Sequence, residues 1–211
     1  MNALMQKKLS LSPYFLMLAD LFKPPDEELW EDISNGRYFE KLQELATDLH
    51  GTPGDWDIDL SNHPKDFQEF KFIYYNTLGG IGNAGVLPVE SLYKPWTLDS
   101  TCEMPFARNK GYLLGDSAFH IRYLLEQFDM KVPTEYGSIP DHLAILLELL
   151  SFFIKKAPDD FTNQFIEEHF DWLDDFAEKL EEIPEHPFYL SLIGLLNECL
   201  LKYFMVIDVA K

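Results

Sequence analysis

Residues Gly79 to Tyr93 read GGIGNAGVLPVESLY, and within them Gly80, Gly82 and Gly85 spell the G-x-G-x-x-G of a dinucleotide-binding loop. That spelling works only where the glycines follow a strand and open a helix whose N-terminus meets the pyrophosphate, with an acid about 20 residues on for the ribose. Here Gly85 is followed by Val86-Leu87-Pro88, so a proline stands where that helix should already be running, and no strand–helix alternation surrounds it. The G-K-S or G-K-T of a phosphate loop is lacking as well. The glycines are better read as freeing the backbone of a long connection between two helices.

Outward from this loop the periodicity is helical. Ser12-Pro13 reads as a cap and first-turn proline before Tyr14, Phe15, Leu18, Leu21 and Phe22, and Pro24-Pro25 stops that helix. Asp26-Glu27-Glu28 opens a short helix with acids where the helix dipole favours them. Tyr38, Leu42, Leu45 and Leu49 form a helical stripe ending near Gly51, and a polar loop carrying Trp56 follows. Phe72 to Tyr75 has strand propensity, but Asp66-x-x-Glu69 and the spacing from Phe67 favour a helix. Gly115-Asp116 begins the next. Ser138-x-x-Asp141 reads as a capping box before Leu143 to Ile154, apolar nearly all round and therefore buried. Asp159 or Asp160 caps one long amphipathic helix from Phe161 to Leu180, and Pro184 and Pro187 lead into a last helix, Phe188 to about Ile207. The expectation is a single all-α domain over residues 1–211, with about eight or nine helices, mostly antiparallel neighbours, and a Gly-rich loop at 79–95.

Composition narrows the function. The chain has 211 residues, enough for a sizeable core without staples. Its two cysteines, Cys102 and Cys199, offer neither a disulfide framework nor a cysteine metal site. His50, His63, His120, His142, His169 and His186 never fall at i, i+4 with one another, so spacing reveals no zinc-type ligand set, and no cofactor is expected. Ser91 lies in no G-x-S-x-G elbow. No export signal is recognisable, and the apolar run from Pro187 to Asn197 reaches only 11 residues before Glu198, too short for a bilayer span. A cytoplasmic protein without stable membrane insertion is expected. Acids number 36 against 17 Lys plus Arg, for a net charge of −19, which disfavours nucleic acid and anionic membranes and attracts basic partners. Eleven of those acids fall between Asp159 and Glu185, beside one base, Lys179.

The stretch YNTLGGIGNAGVLPVESLY resembles a segment of the TorD/DmsD/NarJ-like chaperones, in which a helix ending Y-x-x-L-F meets a Gly-rich loop and then P-x-E-S-[VL]-Y. Tyr75, Leu78, Pro88, Glu90, Ser91, Leu92 and Tyr93 match, and Gly79 replaces the usual Phe. LLGDSAFHIRYLLEQFDMKVP, Leu113 to Pro133, is similar to the family's helix and following turn. PDHLAILLELLSFF, Pro140 to Phe153, resembles its E-P-x-D-H helix through Asp141 and His142, with Ser138 at the Glu position and Pro140 displaced by one place.

The resemblance implies an all-helical, non-enzymatic chaperone for molybdenum-cofactor oxidoreductases. Such a chaperone binds the twin-arginine leader or a related N-terminal segment and delays export until the cofactor is loaded. A basic pair followed by an apolar stretch asks for acids beside an apolar groove. Glu90, Asp141 and His142 are expected near one groove, with Tyr93, Trp96 and Tyr75 lining its apolar part and Leu78, Pro88 and Ser91 completing the site. Duller roles compete: Asp141 closing a capping box, His142 a satisfied core imidazole, Tyr93 and Trp96 ordinary packing. Three other functions stay open: an assembly factor for a client that is not exported, an acidic nucleic-acid mimic that occupies a basic protein, and a small hydrolase using His142. The long connections allow a monomer or a domain-swapped dimer.

Overall fold

A computed structural model describes residues 3–50, 63–79, 85–185 and 187–208. Gly80, Gly82 and Trp56 lie outside the described residues. Nine α-helices run through the described residues: α1 (Ala3–Leu21), α2 (Glu27–Ser34), α3 (Arg37–His50), α4 (Phe67–Thr77), α5 (Asp116–Gln127), α6 (Leu143–Lys156), α7 (Asp159–His169), α8 (Leu173–Leu180) and α9 (Pro187–Asp208). Glu90–Leu92 and Thr134–Tyr136 form 3₁₀ turns. There is no β-strand among the described residues, and the β-type pairing is one antiparallel bridge, Val89 with His142. The fold is all-α.

The core forms where α1 and α6 cross, with α3, α9 and α7 against them. From Leu143 to Ile154 only Glu148 and Phe152 escape full burial, as the uninterrupted apolar run predicts. Serines mark the α1–α6 contact: the Ser12 hydroxyl donates to the Ser151 carbonyl at 3.0 Å and lies 2.6 Å from its hydroxyl. Phe153 sits at the centre of an aromatic cluster, with the rings of Phe128, Phe161 and Phe165 at 5.2, 5.0 and 4.9 Å. At the end of α1, Lys23 bridges Asp20 and Glu148 at 2.7 and 2.6 Å.

Local signals set several helix starts. The carboxylates of Asp26 and Asp66 accept the amides of Leu29 and Glu69 at 2.7 and 2.8 Å, satisfying donors that a helix leaves unpaired. Two helix boundaries and one helix cap differ from expectation. Helix α1 does not begin at Ser12-Pro13 but runs from Ala3 with Pro13 inside it. Burial of Leu11, Tyr14, Phe15, Leu18, Leu21 and Phe22 outweighs the roughly 3 kcal/mol that an internal proline costs. Residues 159–180 form two helices rather than one, and Pro158, not an aspartate, holds the cap position. At the break the Trp172 indole donates to the His169 carbonyl at 2.8 Å. That carbonyl would otherwise take the Leu173 amide, which turns instead to Phe170 at 3.4 Å. Finally, α6 begins at Leu143, and His142 caps it through Nδ1, which accepts the Ala144 amide at 3.2 Å. Ser138 and Asp141 do not form the capping box.

Candidate functional site

The P-x-E-S-L-Y and P-D-H segments, about 50 residues apart in sequence, bind each other. The Leu143 amide donates to the Pro88 carbonyl at 2.8 Å and the Glu90 amide to the Asp141 carbonyl at 3.1 Å. Oδ2 of Asp141 accepts the Ser91 amide at 2.7 Å. Asp141 is therefore spent on the 3₁₀ turn at Glu90. Burial raises its pKa, an effect that the hydrogen bonds from Ser91 oppose. His142 is buried too, which drives its pKa down to about 3 and leaves it a neutral acceptor at ordinary pH.

Glu90 points the other way, into the break between α7 and α8. Although fully buried, its carboxylate meets His169 Nδ1 at 2.8 and 3.1 Å and the Lys94 ammonium at 3.0 Å. Lys94 also reaches Asp171 at 2.7 Å and the Glu168 carbonyl at 2.5 Å. Burial disfavours the Lys94 ammonium, but Glu90 and Asp171 overcome it and raise the pKa. Beyond Glu90, His169 Nε2 lies 2.8 Å from Nδ1 of His120 on α5, where one ring nitrogen donates and the other accepts. Burial, then His169, lowers the pKa of His120. Tyr93 completes the joint by stacking on Trp172 at 5.1 Å and donating its hydroxyl to the Leu87 carbonyl at 3.0 Å.

The outer wall is the 95–116 segment. Asp116 opens α5 by donating its amide to the Trp96 carbonyl at 2.8 Å, while its carboxylate accepts from Thr97 and the Leu98 amide at 2.8 and 3.0 Å. Glycine is required at Gly115, where a Cβ would stand 2.6 Å from the Trp96 carbonyl oxygen. Between this wall and α7 lies a cavity of about 350 Å3 whose lining includes four carboxylates, of Glu90, Asp116, Glu168 and Asp171, against the one ammonium of Lys94. Leu98, 74% exposed, stands at its edge.

The structure thus brings Glu90, Ser91, Pro88, Tyr93, Asp141 and His142 into one joint, yet not as a common peptide-facing groove. Asp141 and His142 are buried behind the 3₁₀ turn, and Leu78 is buried at the end of α4. Tyr75 belongs to another hollow, with Phe72 on α4. Trp96 packs edge-on against Phe106 at 5.1 Å. At Gly79 a Cβ would meet the Tyr75 carbonyl oxygen at 2.8 Å, so this chain has no room there for the usual Phe. Sequence reasoning missed Lys94, His120, Asp116, Glu168, His169 and Asp171. A signal existed for Lys94, four residues after Glu90. None existed for the meeting of His120 and His169, which the tertiary fold creates.

Neither the curated proteins nor the solved structures contain a match to this chain. The family model described as nitrate reductase delta subunit matches residues 36–185, most of the chain and all of the joint. This match implies a chaperone role in molybdoenzyme maturation and agrees with the resemblance in the Pro88–Tyr93 and Pro140–Phe153 motifs. A chain with this helical order and this match belongs to the nitrate reductase delta subunit family.

Proposed function

We propose that the protein is a dedicated cytoplasmic chaperone that holds a basic-then-apolar segment, such as a twin-arginine leader, of a molybdenum-cofactor oxidoreductase precursor until the cofactor is in place. The observation that carries this reading is the acid-lined cavity with Leu98 exposed at its edge. Of its acids, Asp171 is well exposed, with 57% of its side-chain surface free, and among the described residues Lys94 is its ion-pair partner. An incoming guanidinium competes with that ammonium and, being planar, takes the carboxylate with two hydrogen bonds instead of one. Exposed Phe119 and Tyr123, one turn apart on α5, and Leu113 before it offer apolar surface for the rest of the segment. A chain of net charge −19 adds long-range attraction. Asp141 and His142 serve the site from behind, by positioning the turn that carries Glu90. The same cavity would serve a client that is not exported, if its segment carries the basic group without the paired arginines.

The test is calorimetry with a leader peptide containing Arg-Arg and with its Gln-Gln counterpart. Glu168→Gln with Asp171→Asn should weaken the Arg-Arg peptide at least tenfold, about 1.4 kcal/mol, and reduce the salt dependence of binding. Equal affinity of wild type for both peptides would favour the non-exported client. Unchanged affinity in the double variant would discard the cavity as the binding site.

A further inference from the structure

We propose that His120, Glu168 and His169 bind a divalent transition-metal ion of the zinc class, at the inner wall of the acidic cavity. The three side chains come from α5 and the end of α7, and their candidate ligand atoms all lie within 4.8 Å of one another. His169 is oriented as a ligand of this kind usually is. Its Nδ1 is held by the Glu90 carboxylate at 2.8 Å, which leaves Nε2 facing His120 and raises its basicity. The carbonyl of the same residue is held by Trp172, so both backbone and ring are fixed.

Two imidazoles and a carboxylate suit zinc and its neighbours rather than magnesium or calcium, which prefer oxygen alone. Metal–nitrogen bonds of about 2.0–2.1 Å in tetrahedral geometry place two ligand nitrogens roughly 3.3 Å apart. The present nitrogens are 2.8 Å apart and hydrogen-bonded. Binding therefore replaces that hydrogen bond with two metal bonds and opens the pair by about half an ångström. His120, on the exposed side, supplies the movement, and its proton passes to the other ring nitrogen. Glu168 is exposed and swings in from its bond with Gln164 at 2.7 Å. Three protein donors leave a fourth position facing the cavity, whose surplus of carboxylates concentrates cations.

Titration of the metal-free full chain with Zn2+ by calorimetry, and with Co2+ by visible absorption, tests it. One ion per chain is expected, with the intense visible bands of four-coordinate Co2+. His120→Ala should abolish both, as should His120→Gln, whose amide keeps a hydrogen-bond partner for buried His169 and so keeps the fold. Glu90→Gln should weaken binding about tenfold to a hundredfold, and Glu103→Gln, on the exposed 95–116 segment, should not change it. The proposal is overturned if no stoichiometric binding occurs, or if binding persists in His120→Ala, which would assign the ion to surface carboxylates.

Discussion

The α1–α6 core and the joint around Glu90 are both buried, yet they are built on opposite principles. In the core, apolar side chains fill space at helical spacing, and at the crossing two small polar groups, Ser12 and Ser151, satisfy each other. In the joint, charged and aromatic side chains from separate segments hold one another: Glu90 with Lys94 and His169, Asp141 with the Ser91 amide, Tyr93 with Trp172. Core contacts are interchangeable within limits of volume. Joint contacts are not, because a removed partner leaves a buried polar group unpaired.

The sharpest way to break the comparison is to damage each region in turn. Phe153→Ala should cost about 3–5 kcal/mol, seen in denaturant melts as a loss spread over the whole molecule. A cost below about 1 kcal/mol would show that the aromatic cluster is not the core's centre. Glu90→Ala should cost about 3 kcal/mol, slightly less because Lys94 keeps Asp171. Here hydrogen exchange should rise first around the Glu90–Leu92 turn and the α7–α8 break, while α1 and α6 stay protected; uniform loss would mean the joint is merely part of the core.

The smallest effect concerns pH. His142 resists protonation down to about 3, whereas its unfolded form takes a proton near pH 6.5. Between those values the unfolded state holds more protons, so stability falls as pH falls, by up to about 1.4 kcal/mol per unit for one group. His120, with its lowered pKa, pulls the same way, and Asp141, with its raised pKa, pulls against both. His142→Asn keeps a capping oxygen for Ala144 and should flatten the acid limb by up to that slope. An unchanged limb would show that His142 takes up its proton when folded.

The contrast also explains what the sequence made legible. Helix starts at Asp26, Asp66 and Gly115, the buried run after Leu143 and the all-α class follow from spacing and short-range chemistry, and all are present. The clustering of Glu90, Asp141 and His142 was suggested by resemblance, not by periodicity. What escaped depends on partners distant in sequence. Asp141 reads locally as the mate of Ser138 but pairs with Ser91. His120 and His169 are 49 positions apart and meet only once α5 lies beside α7. The interruption after His169 hides because Phe165, Trp172 and Phe176 fall at i, i+7 and i+11, a helical stripe that runs on across the break.

The indole at this break has an evolutionary corollary. Trp172 satisfies the His169 carbonyl at the end of α7, and no glycine or proline stands between α7 and α8. A homologue that lacks tryptophan at the corresponding position must interrupt the rod by other means or forfeit the bend that carries Asp171 beneath Lys94. Aligned relatives that lack the tryptophan should also lack the acid–base pair at the positions of Asp171 and Lys94.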